Sequence, residues 1–360
     1  MERPIYVTRP SLAPLDELIP YLETIWESGV MTHNGPLVQR FEKELEEYLQ
    51  VPHVICVSNG TSALQLAIRA LDLTGEIITT PFTFIATANI ISWERCTPVF
   101  VDICPDTWNI DTDKIEASIT SKTTAILAVH VFSAPCNVEK ISEIAKQYNL
   151  RLIYDAAHAM AVNYRGSSIL NYGNISTLSF HATKLLNTAE GGACITNDPE
   201  LAKRLKSMRF FGFNEKKEIV DVGINAKMNE ISAALGLVNL AHLDEIRKKR
   251  RDAYKLYKKH LSEISFIQLQ HFDPDEYNYS YMPILLDGED RLERIMTTLS
   301  EKDIYPRRYF YPALNTLKCF TSNHPLPVAE HVARNILCFP LYDDLSEEII
   351  EQICHDIKKS

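Results

Sequence analysis

The sequence predicts an α/β fold, a largely parallel sheet covered by helices on both faces, followed by a smaller α+β unit. Three observations carry this. Seven short apolar or β-rich runs recur between residues 54 and 196, and they alternate with longer stretches, some of helical spacing. Several of these runs are apolar almost throughout, as strands buried on both faces must be. After Gly223 the pattern becomes helical, and beyond residue 255 short strands and helices mix again. We therefore expect a large α/β domain over residues 1–250 and a small α+β domain over residues 251–360.

Length and composition agree with two domains. A chain of 360 residues exceeds the usual size of one compact core, and 46% hydrophobic with 23% charged residues is a globular composition. The net charge is −10 and the isoelectric point about 5.6, with basic residues concentrated between Arg247 and Lys259. This balance argues against nucleic acid as a partner. The opening MERPIYVTRPSLAPL lacks the apolar stretch of a signal peptide, and no run approaches the roughly eighteen apolar residues of a membrane span. A cytoplasmic enzyme without membrane association is the expectation. Eight cysteines are scattered without CxxC or CxxH pairing, mostly in apolar segments. They read as reduced core residues, and no metal site is expected.

Taken in order, Leu15, Leu18, Ile19, Leu22, Ile25 and Trp26 carry helical spacing that ends at Gly29. Met31-Thr32-His33-Asn34-Gly35-Pro36 is a turn cluster, and a second helix places Phe41, Leu45, Tyr48 and Leu49 on one face. The seven runs then follow: Val54 to Val57, Ile77 to Thr80, Pro98 to Ile103, Ala125 to Phe132, Leu152 to Asp155, Thr177 to Phe180 and Ala193 to Thr196. Helical spacing fits Ala63 to Leu71 and Val138 to Tyr148 between them, then Asn229 to Leu243 and the charged stretch to Ser262. Strands around Ile264 to Gln268 and Tyr279 to Leu286, with helices at Arg291 to Glu301 and Ser346 to Lys359, make up the smaller unit.

In parallel sheets ligands collect beyond the carboxyl ends of the strands, so the residues just after these runs are the candidates for chemistry. Lys184 sits between two buried runs in LSFHATKLLNTAEGGACIT. Burial there would lower its pKa and make the amine nucleophilic enough for a Schiff base; the bland reading is a lysine that snorkels to the surface. Ser58-Asn59-Gly60-Thr61-Ser62 leads from a strand into a helix, a turn that either cradles a phosphate or merely caps the helix. Asp155 closes a strand ahead of Ala156-Ala157-His158, and a buried carboxylate needs a partner: a protonated pyridine nitrogen or a structural cation. Phe84, in Thr80-Pro81-Phe82-Thr83-Phe84-Ile85-Ala86-Thr87, either packs in the core or stacks on a planar ring. Ser179 offers a hydroxyl five residues before Lys184. An amine for an aldehyde, an acid for a ring nitrogen, a stacking ring and a phosphate cradle are the requirements of pyridoxal phosphate.

These segments, SNGTSAL, TPFTFIATANI, DAAHA, SFHATK with EGG, and GINAKMNEISAALG, resemble in order and spacing the DegT/DnrJ/EryC1/StrS sugar aminotransferases, a branch of the fold-type I, aspartate aminotransferase-like enzymes. The similarity spans about Thr32 to Leu240 and continues more weakly through Arg307 to Pro312. It implies a seven-stranded, mostly parallel sheet, a small C-terminal domain, and a homodimer with active sites shared at the interface. It also implies that Lys184 forms the Schiff base of pyridoxal phosphate (PLP, or PMP in its amino form) and shuttles protons. Asp155 would bind the pyridinium nitrogen, His158 the phenolic oxygen, Phe84 the ring face, and Gly60, Thr61 and Ser179 the phosphate. Asn225 would be donated to the neighbouring subunit's phosphate site, with Ala233, Ala234 and Gly236 allowing close packing behind it. Two positions depart from the family: Lys227 stands where arginine is frequent and Ala189 where glycine is. Lysine keeps the charge without the guanidinium fork, so Lys227 is not counted as a ligand.

The resemblance further implies a nucleotide-linked keto sugar as substrate and glutamate as amino donor. PSLAPL, MTHNGP and TKLLNTAEGG look most like the subgroup making dTDP-4-amino-4,6-dideoxyglucose from the 4-keto-6-deoxy sugar. The alternative within the family is a 3-keto sugar enzyme giving a 3-amino-3,6-dideoxyhexose. Related dehydratases carry histidine in place of the lysine, which Lys184 argues against. A non-catalytic sensor would have no need to retain Lys184, Asp155 and the phosphate turn together.

Overall fold

The computed structural model describes residues 4–320 and 324–359. Its centre is a seven-stranded sheet of β1 (Val54–Val57), β2 (Glu76–Thr79), β3 (Thr97–Phe100), β4 (Thr123–Val129), β5 (Arg151–Asp155), β6 (Ile175–Ser179) and β7 (Gly192–Ile195). The spatial order is β1-β7-β6-β5-β4-β2-β3. β7 runs antiparallel to both β1 and β6, and every other neighbour is parallel. The mostly parallel seven-stranded sheet is thus present, with all seven expected runs in it. Two of those runs overshoot their strands by three residues. Beyond Val129 the chain turns at Val131–Ser133, where Phe132 takes φ 52°, and beyond Phe100 the run leaves the ladder although it stays buried.

Helices cover both faces. α1 (Leu15–Ser28), α2 (Pro36–Leu49), α3 (Gly60–Ala70), α4 (Ile85–Trp93), α5 (Val138–Gln147), α6 (Pro199–Met208) and α7 (Glu230–Ala241) surround the sheet. One buried cluster joins Phe41, Leu45, Tyr154, Phe180 and Leu237 on one face, and a second joins Ile55, Leu64, Ile68, Ile153 and Leu205 on the other. α4 was not anticipated. Its Thr87, Ala88, Ile90 and Ile91 are buried, while the exposed face carries Ile85 and Trp93 beside Asn89 and Ser92, so no polar stripe reveals the helical period. In α1 the spacing does produce a helix, closed by Gly29 at φ 66°, yet Leu15, Ile19 and Trp26 are 67%, 43% and 70% exposed.

Two contacts explain the turn cluster and the small residues of α7. Glu230 receives the N–H groups of Leu37 at 2.8 Å and Val38 at 3.0 Å, so its carboxylate caps α2 from another helix. Any Cβ on Gly35 would lie 2.6 Å from that carboxyl group. A Cβ on Gly236 would lie 2.6 Å from the Phe41 ring, and Ala233 and Ala234 are fully buried. These small residues therefore serve close packing of α7 within the chain.

α8 (Leu243–Leu261) leads to a three-stranded antiparallel sheet, β8 (Ile267–Leu269), β9 (Met282–Leu286) and β10 (Ile336–Phe339), packed with α9 (Glu289–Ser300), α10 (Pro327–Asn335) and α11 (Glu347–Lys358). α10 and β10 were not read from the sequence. The two-residue strand Ile5–Tyr6 pairs in parallel with Ile304–Tyr305. Six of the eight cysteines are buried and all eight are unpaired thiols.

Candidate active site

The carboxyl ends of β5 and β6, the N-termini of α3 and α4 and the loop before β7 converge on a cavity of about 500 Å³. Seven of the eight residues singled out from the sequence line it: Gly60, Thr61, Phe84, Asp155, His158, Ser179 and Lys184. Asn225 does not. It is exposed, paired through its backbone with Phe210, and its side-chain oxygen accepts from Lys227. The Lys227 ammonium rests over the rings of Phe210 and Phe211, 4.7 and 4.6 Å from their centroids.

Lys184 sits on a folded-back loop between β6 and β7. Phe180 N–H donates to the Gly191 carbonyl and Ala182 N–H to the Ala189 carbonyl, with Ala189 at φ 62°. That left-handed conformation is strained for alanine and free for glycine, which explains why glycine suits this position. Asn187 anchors the loop: its amide donates to the Ser11 carbonyl at 2.8 Å, and Asn239 donates to the Asn187 carbonyl at 2.9 Å. The Lys184 Nζ donates to the Tyr281 hydroxyl at 3.1 Å. Burial lowers the amine's pKa to about 8; the Asp155 carboxylate resists this and the Arg307 charge adds to it.

Asp155 is buried at the end of β5, where burial raises its pKa. Thr87 Oγ1 donates to Oδ2 at 2.8 Å and Ala157 N–H to Oδ1 at 3.1 Å, and both oppose that rise. Among the described residues no cation lies within ion-pair distance of it. His158 is buried beside it, and burial, with the Lys184 charge second, pushes its pKa well below the usual range. Its Nδ1 accepts from the Phe132 N–H at 3.2 Å, so the neutral ring carries its proton on Nε2. The rings of Phe132 and Phe310 lie near-parallel to it at 6.1 and 5.9 Å, and 5.3 Å from each other.

At the cavity's other end α3 begins with Asn59 as its cap, its side chain accepting from Ser62 N–H at 2.8 Å. The N–H groups of Gly60 and Thr61 have no acceptor among the described residues. A Cβ on Gly60 would come within 2.9 Å of the Ser179 Cβ, so the strand end and helix start can approach only with glycine there. Free N–H groups, a helix N-terminus and the Ser179 and Thr61 hydroxyls fit a phosphate. The ring of Phe84, 56% exposed, faces the cavity ahead of α4. A cradle, an unpaired buried acid, an open aromatic face and an amine of lowered pKa together fit pyridoxal phosphate.

Other residues of the site are not marked by the sequence. Thr83 lines the cavity, Thr87 reaches it only through its hydrogen bond to Asp155, and Tyr281 and Tyr309 line it from just ahead of β9 and from the loop whose Arg307 pairs with β10. Nothing local marks a tyrosine at residue 281 as facing residue 184. Arg307 also lines the cavity, with its guanidinium over Tyr309 at 4.8 Å.

Comparison with known proteins agrees with this geometry. The dTDP-4-amino-4,6-dideoxy-D-glucose transaminase of Shigella dysenteriae is 41% identical over 365 residues, covering 100% of both chains. The structure of DesI in the presence of its TDP-sugar product superimposes with a TM-score of 0.94 at 32% identity, covering 100% of this chain and 93% of that one. The ntda structure from Bacillus subtilis, with bound cofactor PMP, gives a TM-score of 0.88 at 30% identity, covering 96% and 82%. The DegT/DnrJ/EryC1/StrS aminotransferase family matches residues 15–358. With the lysine, acid and phosphate cradle assembled in one cavity, the chain belongs to that family and is a PLP-dependent aminotransferase.

Proposed function

We propose that the enzyme converts a dTDP-linked 4-keto-6-deoxyhexose to the 4-amino-4,6-dideoxy sugar, with glutamate as amino donor. The observation that carries this reading is full-length similarity at 41% identity to dTDP-4-amino-4,6-dideoxy-D-glucose transaminases from Shigella dysenteriae and Escherichia coli. When bound, pyridoxal phosphate supplies an aldehyde for amine exchange and a ring that accepts electron density. The chain's own residues do the rest. Gly60, Thr61 and Ser179 would hold the phosphate, Phe84 would offer its ring face, and Asp155 would keep a proton on the ring nitrogen. His158, with its proton on Nε2, would donate to the phenolic oxygen. Lys184, largely neutral above its lowered pKa, would hold the cofactor at its aldehyde and carry the proton that has to move during amine exchange.

The enzyme acts in this reading as a cytoplasmic homodimer, with Asn225 reaching the partner's phosphate site. Support comes from Asn225 lying outside its own cavity, and from exposed apolar side chains nearby at Phe211, Ile219, Val220 and Val222. Residues 1–250 and 251–360 are the proposed domains, bridged by α8, whose Arg250 is buried and donates to the Leu341 carbonyl at 3.3 Å. Incubation with glutamate and a 4-keto or a 3-keto dTDP sugar, followed by NMR of the product, tests the reaction. An axial or equatorial amine at C4 is expected. Amination only of the 3-keto sugar, at C3, would overturn the assignment.

A further inference from the structure

Thr87 is the residue whose geometry has no role in the scheme above. It is fully buried in the first turn of α4, too early in the helix for its hydroxyl to turn back onto a helical carbonyl. Here the hydroxyl lies 2.8 Å from Oδ2 of Asp155 and 3.0 Å from the hydroxyl of Thr83, itself 2% exposed. A carboxylate only accepts, so Thr87 must give its single proton to Asp155, and Thr83 must then donate to Thr87. The proton positions along Thr83, Thr87 and Asp155 are thereby fixed in one direction. Ala157 N–H holds the other carboxylate oxygen at 3.1 Å. With no cation in ion-pair reach among the described residues, these two neutral donors are what orient the carboxylate in the cavity wall.

We propose that Thr87, oriented by Thr83, is a positioning residue that fixes the rotation of the Asp155 carboxylate so that one oxygen lone pair faces a protonated ring nitrogen. The proposal rests on Asp155 being the acceptor for that nitrogen. Thr87→Val keeps the shape and removes the donor, and Thr87→Ser keeps the hydroxyl. Charge-assisted hydrogen bonds of this kind correspond to roughly ten-fold or more in an equilibrium constant.

The test compares cofactor-free full-length variants by their affinity for pyridoxal phosphate and for its 1-deaza analogue, whose ring carries C–H in place of nitrogen. The unmodified protein is expected to prefer pyridoxal phosphate. Thr87→Val should shrink that preference by about ten-fold, Thr87→Ser should restore it, and Thr83→Val should shrink it less. Should Thr87→Val fail to fold, Thr87→Ala serves the same comparison. If the preference survives in Thr87→Val but disappears in Asp155→Asn, the role of Thr87 is overturned while that of Asp155 stands. If Asp155→Asn also leaves it unchanged, both fall. Equal weakening toward both ligands in Thr87→Val would mean a merely structural hydroxyl and would likewise overturn the proposal.

Discussion

At Lys184 the acidity of one amine is set by burial, by a carboxylate that resists it and by the Arg307 guanidinium that reinforces it. The sign of each contribution gives a test. The neutral amine is the nucleophile, so capture of pyridoxal phosphate by the cofactor-free protein should accelerate as pH rises through about 8, well below an ordinary lysine. Arg307→Gln removes a like charge, so the midpoint of that rise should move to higher pH; an unmoved midpoint would mean that Arg307 does not act on the amine. Lys184→Ala should lose transamination altogether, and turnover without added amine would contradict its role. At this scale the sequence was highly informative where chemistry and a strand end coincide, as at Asp155 and Lys184. It was silent on Tyr281, which reaches the lysine from 97 residues away through packing of the small sheet. Local patterns cannot encode such a meeting.

At the scale of elements, the capping of α2 by Glu230 couples two motifs separated by nearly two hundred residues. The carboxyl group that Gly35 faces is pinned by two N–H groups and buried, so it cannot swing aside for a methyl. Gly35→Ala should therefore cost about 1–3 kcal/mol by overpacking, and Glu230→Ala about 1–2 kcal/mol by uncapping the helix. Because they share one contact, the double variant should cost less than the sum, which urea midpoints of all three variants would measure. Simple additivity would mean that the two do not touch in solution. The alternating runs made all seven strands legible, because burial on both faces leaves continuous apolar segments. α4 escaped for a different reason: its exposed face carries Ile85 and Trp93 beside Asn89 and Ser92, so the sequence shows no polar stripe to mark the helical period. α1 had the period without the burial, its stripe of Leu15, Ile19 and Trp26 lying open to solvent.

For the whole molecule, the proposed sharing of sites between subunits can be tested by mixing. Lys184→Ala chains combined with Asn225→Ala chains should form hybrids in which one site carries both defects and the other none. Activity and tight cofactor binding recovered in purified hybrids would support the exchange of Asn225; no recovery, or a fully active monomer, would refute it. The order of the central sheet has a different consequence, in the timing of folding. β1 is the first of the seven strands to be synthesised, yet its ladder neighbour is β7, the last. It therefore has to wait, with α2 and α3 beside it, until residue 195 has left the ribosome. Ile5–Tyr6 waits longer still, for Ile304–Tyr305. Such pairings close long loops and raise the contact order, so the earliest segments of this chain are the latest to be locked in place.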